Sequence, residues 1–187
     1  MEQTVNNLSS IENEVKLCTA CPLSKTRNHT VFGRGSDAPR VLFIGEAPGK
    51  NEDLEGVPFV GAAGQLLDAY LDFINLTKED YYIANILKCR PPQNRDPLPE
   101  EIACCMPFLQ KQLRALSPQT IVCLGRIAAT HIIAPDFRIT AQHGQWFQKG
   151  AIQVMATYHP AALLRDPQKK MDALNDFKKI KEKLAKQ

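Results

Sequence analysis

Apolar positions along this chain gather into four short runs rich in β-branched and aliphatic residues: Val41 to Ile44, Tyr82 to Leu87, Thr120 to Leu124 and Ile152 to Thr157. Each has the length of a strand buried on both faces. A different period fills the gaps. Gln65 to Ile74 puts Leu66, Leu67, Tyr70, Leu71 and Ile74 on one helical face, and Glu100 to Leu116 has comparable spacing. Strands alternating with helices predict an α/β domain: a central four-stranded parallel sheet, right-handed crossovers and helices on both faces.

In such a domain ligands bind beyond the carboxyl ends of the strands. The unusual residues gather at those exits: Gly45 to Gly49 after the first run, Asn85 and Lys88 to Pro92 at the second, Gly125 and Arg126 after the third, His159 and Pro160 after the fourth. A last amphipathic stretch, Asp172 to Leu184, places Leu174, Phe177, Ile180 and Leu184 near one face. Lys178, Lys179, Lys181 and Lys183 lie largely elsewhere, the pattern of a docked terminal helix with solvated lysines.

Length and charge narrow the picture only slightly. The 187 residues suit a single domain spanning 1–187, with enough core to need no disulfide staples. A formal charge of +3 is compatible with nucleic-acid binding without establishing it. No basic stretch followed by an apolar run opens the chain, and no window approaches a membrane span, so a soluble, cytoplasmic protein without membrane contact is expected.

Six cysteines change the picture more. Cys104 and Cys105 are adjacent and Cys123 sits within an apolar run, which fits poorly with a secreted three-bridge framework and leaves Cys123 as a core residue. Cys18 and Cys21 form a C-x-x-C pair; Cys89 follows a strand, and Cys105 lies sixteen positions later in a helical segment. Folding could bring these four thiolates together around zinc or iron-sulfur, with a redox pair as the alternative and Cys104 as the rival to Cys105.

Taken in order, several motifs resemble the family-4 uracil-DNA glycosylases, an iron-sulfur branch of the uracil-DNA glycosylase superfamily, over nearly the whole chain. They are Cys18 and Cys21 followed by Pro22 and Leu23; Gly45 to Gly49 with Glu52 and Asp53; Pro58, Phe59 and Gly61; Asn85; Cys89 to Arg95; Cys105; and His159 to Arg165. The resemblance implies a three-layer α/β/α sandwich. It also implies a structural 4Fe-4S cluster on Cys18, Cys21, Cys89 and Cys105, and so selects Cys105 over Cys104. The activity it implies is monofunctional hydrolysis of the N-glycosidic bond of uracil in single- or double-stranded DNA, with a monomer expected.

The implied chemistry gives each residue a task. A flipped nucleotide needs a receiving pocket, and Phe59 suits its stacking wall. Asn85 can accept from uracil N3–H and donate to O4, a pattern that cytosine reverses. His159 is the candidate donor to O2, where a neutral imidazole suffices. Glu46, within a loop whose Gly45 and Ala47 backbone approaches the sugar, is expected to orient water or favour a cationic transition state. Other branches carry an aspartate at the position of Ala47 and an aromatic residue at that of Gly49; the resemblance points to Glu52 as the wall against the thymine methyl.

Leu163, Leu164 and Arg165 look like the segment entering the minor groove, with one of the two leucines as the wedge. Arg90, Arg95, Arg126 and Lys169 are candidate phosphate contacts. Arg90 to Pro99 lacks the histidine by which an offshoot of the family traps its product, so no covalent adduct is expected. The rival readings are a noncatalytic metal-stabilised nucleic-acid-binding module and a nucleotide-binding enzyme. Neither a G-x-G-x-x-G nor a G-x-x-x-x-G-K-[ST] motif is present for the latter.

Overall fold

Four strands run parallel at the centre of one sheet: β2 (Val41–Gly45), β3 (Tyr81–Asn85), β4 (Thr120–Leu124) and β6 (Ile152–Thr157). The structure, a computed structural model, describes residues 7–186. Two edge strands, β1 (Arg34–Gly35) and β5 (Trp146–Lys149), pair antiparallel with β3 and β6, giving the order β1-β3-β2-β4-β6-β5. The expected four-stranded parallel sheet is therefore the core of a six-stranded one. The second strand also ends earlier than its apolar run, since Ile86 and Leu87 lie beyond it as a buried turn that still donates to the Gly45 and Glu46 carbonyls.

Every residue of β2, β3 and β4 is buried, because helices cover both faces. Side chains alternate strictly. Leu42, Ile44, Ala84, Ile121, Cys123, Val154 and Ala156 face α4 (Pro99–Leu116) and α5 (Arg126–Ile132). Val41, Phe43, Ile83, Val122, Leu124 and Met155 face α3 (Ala62–Phe73), α7 (Pro160–Arg165) and α8 (Lys170–Leu184). Two apolar layers on one sheet make the three-layer sandwich. An N-terminal helix, α1 (Leu8–Lys16), buries Ile11 and Val15 with Phe32 in a satellite core beside α4. No helix among the described residues is long and apolar enough to cross a membrane.

Two of the helices begin where their chemistry dictates. Pro99 opens α4 at a position where its missing N–H costs nothing, and Glu101 folds back to accept from the Leu98 N–H at 2.8 Å. His159 caps α7 through its own ring nitrogen. The chain passes from β2 to β3 on one side and then crosses back over β2 to β4, so the sheet's winding reverses beside β2. The carboxyl ends of all four parallel strands, Gly45, Asn85, Leu124 and Thr157, open on the rim where that reversal leaves a crevice.

Gly64 in α3 shows how tightly the rim is built. A Cβ there would stand 1.8 Å from the Phe59 carbonyl oxygen and 2.2 Å from its carbon. Alanine usually stabilises a helix interior relative to glycine by up to about 1 kcal/mol. Here Gly64→Ala is expected to destabilise by about 1–3 kcal/mol through forced displacement of the Phe59 backbone, read as a lower denaturant midpoint at unchanged slope. Stabilisation by the substitution would show that the Phe59 loop is free to move.

Candidate functional site

A cleft of about 320 Å³ opens at this rim. Among its lining residues are Glu46, Ala47, Gly49, Glu52, Phe59, Asn85 and His159, with Arg95 and Arg165 at its margin. Residues from the exits of β2, β3 and β6 thus meet in one concavity, whereas Gly125 and Arg126, after β4, are not among those that line it.

Asn85 ends β3 and is 2% exposed, and its side-chain oxygen has no hydrogen-bond partner among the described residues. Such an atom costs about 1–3 kcal/mol relative to one that is satisfied. Gly45 makes room for it: a Cβ there would lie 2.3 Å from Asn85 Oδ1 and 2.9 Å from Phe59 Cζ. Gly45 is thus the floor that lets the amide and the aromatic ring share the cleft.

Phe59 is 6% exposed and takes a left-handed backbone (φ 54°), which costs a bulky residue on the order of 1 kcal/mol. Glu52 holds the loop in place: its Oε1 accepts from the N–H groups of Val60 and Gly61, both at 3.0 Å. Its other oxygen lies 2.7 Å from where a side chain on residue 49 would begin. Glu52 therefore supports the Phe59 loop as well as walling the cleft.

His159 faces Phe59, their ring centroids 5.6 Å apart and tilted by 31°. Its Nδ1 accepts from the Ala161 N–H at 3.1 Å. An accepting Nδ1 leaves the proton of a neutral ring on Nε2, so the helix start chooses the tautomer. Burial, aided by the positive charge of Arg165 and opposed by Glu52, lowers the imidazole pKa to about 4. At neutral pH the cleft receives an uncharged N–H donor.

Glu46 follows β2 and is half-buried. Burial raises its pKa and nearby Asp96 adds to the effect, while Arg126 and Arg165 oppose it. Asp96 itself pairs with Arg126 at 2.7 Å, an exposed bridge across the rim. Asp96 and Asn94 also line the cleft. Asn94 belongs to the Cys89 to Arg95 motif, whereas the one signal for Asp96 is its place just beyond it in the same loop.

The candidate DNA contacts separate. Leu163 is 1% exposed and packs in the core with Phe177 and Leu71, whereas Leu164 is 44% exposed. Burial thus distinguishes the two leucines: Leu163 could enter DNA only by leaving the core. Arg165 is exposed at the cleft margin. Arg95 commits both terminal nitrogens inside the protein, to the buried Glu101 at 2.6 and 2.9 Å and to the Asp96 carbonyl at 3.0 Å. Arg90 donates to Asn94 Oδ1 at 2.7 Å, and Lys169 pairs with Asp166 at 2.9 Å while lying over the Tyr158 ring.

Cys18, Cys21, Cys89, Cys104 and Cys105 line a second cavity, with Leu23, Leu87 and Phe108 among its apolar walls. Among the described residues no three His, Cys, Asp or Glu side chains converge tightly enough to hold a single metal ion. The sulfurs instead surround a space. Cys105 Sγ accepts from the Lys88 N–H at 3.2 Å and Cys89 Sγ from the Arg27 guanidinium at 3.2 Å, whereas Cys104 donates its thiol to the Ala20 carbonyl. Burial raises the thiol pKa values of Cys21 and Cys89, and that of Cys105 to about 11. Cys123 is fully buried in the core, as its apolar run predicts.

Comparison with known proteins gives this geometry a family. Residues 32–185 match the model of the uracil DNA glycosylase superfamily. A protein of Archaeoglobus fulgidus named type-4 uracil-DNA glycosylase is 46% identical over 188 aligned positions, covering 95% of this chain and 94% of the relative. A type-4 uracil-DNA glycosylase of Thermotoga maritima is 41% identical, covering 91% of each chain. A type-5 uracil-DNA glycosylase of Pyrobaculum aerophilum is 30% identical, covering 78% of this chain and 74% of its own. By that family match and these relatives, the chain, with its cleft at the strand exits and its cysteine-lined cavity, belongs to the uracil-DNA glycosylase superfamily and, within it, to the type-4 enzymes.

Proposed function

We infer that this protein hydrolyses the N-glycosidic bond of uracil in DNA, leaving an abasic site for base excision repair. The observation that carries this reading is the unpartnered Asn85 Oδ1 deep in the cleft. Uracil N3–H supplies the missing donor and uracil O4 accepts from the Asn85 NH2, whereas cytosine would set acceptor against acceptor and donor against donor. A base lying against Phe59 gains about 1–3 kcal/mol from stacking, which offsets part of the cost of flipping it from the duplex.

The C1′–N1 bond breaks with its electron pair moving onto uracil. Negative charge spreads over N1 and O2, where the Nε2–H of His159 donates a hydrogen bond, and positive character grows on the sugar. Glu46, as a carboxylate, favours that cationic centre and accepts a proton from the water that adds to C1′. Glu52, beside Gly49, fills the space that a 5-methyl group would need.

A 4Fe-4S cluster fits Cys18, Cys21, Cys89 and Cys105, whose soft donors surround one apolar cavity and receive N–H groups at Cys89 and Cys105. When bound, the cluster braces the N-terminal segment against the β3 exit and α4. Cys104, its thiol turned to the Ala20 carbonyl, is outside the set. Cys105→Ala is accordingly expected to purify colourless and with little iron, and Cys104→Ala brown with iron unchanged. The opposite pattern would exchange the two.

Incubating the protein with an oligonucleotide bearing one uracil, then alkali and a denaturing gel, tests the activity itself. Cleavage at uracil that is lost in His159→Ala supports the reading; a brown, folded protein that leaves the strand intact would favour a noncatalytic binding module. The acid limb of kcat/KM should belong to Glu46. As pH falls toward its raised pKa the carboxylate is protonated and the rate drops, while His159 stays neutral down to about pH 4. Glu46→Gln should be slow and flat across that range; an inflection near pH 6.5 that survives in Glu46→Gln would contradict the neutral histidine.

Leu164→Ala is expected to slow excision from duplex more than from single strands at nearly unchanged stability. Leu163→Ala should instead cost about 2–5 kcal/mol of folding free energy. Equal stability losses in the two variants, measured by denaturant unfolding, would contradict this division.

A further inference from the structure

Lys88 is the one charged side chain within the buried stretch from Tyr81 to Cys89, and it is 1% exposed. A buried ammonium is costly unless its protons are all taken. Its Nζ donates to the Asn85 carbonyl at 2.7 Å, to Gln112 Oε1 at 2.6 Å and to the Phe32 carbonyl at 3.4 Å. Gln112, fully buried in α4, donates in turn to the same Phe32 carbonyl at 3.0 Å. All three protons of the ammonium therefore have acceptors.

The position of these bonds matters more than their number. The Asn85 carbonyl lies at the end of β3, on the same residue as the amide that faces the cleft. The turn that follows is pinned on its other side by Ile86 N–H to the Gly45 carbonyl and Leu87 N–H to the Glu46 carbonyl, both at 3.0 Å. The backbone N–H of Lys88 donates to Cys105 Sγ, so the same residue touches the wall of the cysteine cavity. The short segment from Asn85 to Lys88 thus joins the two sites, and Lys88 closes the loop across them.

We propose that Lys88 is a positioning residue for uracil recognition: its ammonium fixes the Asn85 main chain, and with it the reading amide, against a strut formed by Gln112, Phe32 and Cys105. The proposal rests on the reading of Asn85 given above. It also explains a lysine in this place: methionine would fill similar volume but leave the Asn85 and Gln112 oxygens without donors.

A double-mutant cycle tests it, with single-turnover excision of uracil and equilibrium dialysis of radiolabelled free uracil as readouts on the cluster-containing protein. Lys88→Met is expected to lower kcat/KM and uracil affinity roughly tenfold, and to change either by less than about twofold once Asn85→Ala is present. The same factor in both backgrounds, or no loss in the native background, would overturn the proposal while leaving the glycosylase reading intact. Unimpaired excision by Asn85→Ala alone would instead overturn the reading on which it rests. Should Lys88→Met fail to fold, Gln112→Met, which releases one anchor of the ammonium, is run through the same cycle with the same expectation at a smaller factor.

Discussion

A buried amide oxygen with no hydrogen-bond partner among the described residues is the constraint around which this site is arranged. Asn85, 2% exposed, holds its Oδ1 in that state at the end of β3. The neighbouring choices follow from holding it there. Position 45 carries no side chain, Phe59 accepts a left-handed backbone, and Glu52 gives an oxygen to the two N–H groups that keep Phe59 in place. The fold tolerates these local costs because the two layers of apolar contacts on the sheet overdetermine the strand ends.

Charge in the cleft is governed by burial in the same way. One desolvated environment moves two groups in opposite directions: the imidazole of His159 is kept neutral and the carboxyl of Glu46 is made more basic. A donor without charge and a carboxylate made more basic by burial suit a reaction in which negative charge leaves on the base and positive character passes to the sugar. The tautomer is set by the α7 N-terminus, so the same bond that starts a helix orients the group presented to the leaving uracil.

Much of this is legible in the sequence, and the reasons are physical. Parallel strands buried on both faces leave unbroken apolar runs, so all four central strands and their exits are visible. The edge strands are not: β1 has two residues, and β5 is only half covered, which leaves no run to see. Burial continuing past β3 into Ile86 and Leu87 makes that strand read too long, because hydropathy reports burial and not ladder pairing. Adjacent leucines carry no label for inside and outside, and only the packing of α7 separates Leu163 from Leu164. Arg95 reads as a phosphate contact because its partner, Glu101, lies across a turn that sequence spacing does not close. Lys88 does leave a signal, since a charge inside an apolar run implies a buried set of acceptors.

Asn85 waits for the N3–H of uracil, and a methyl group on that one nitrogen shows whether it does. Excision of uracil and of 3-methyluracil from otherwise identical single strands would be compared under single-turnover conditions. The methyl group removes the only ring proton that Asn85 Oδ1 could accept while leaving the glycosidic bond and the O2 and O4 oxygens in place. 3-Methyluracil is expected to be left essentially uncleaved under conditions in which uracil is fully released. Release of both bases at the same rate would mean that Asn85 does not read N3, and that the unpartnered oxygen at the heart of the cleft serves some other end.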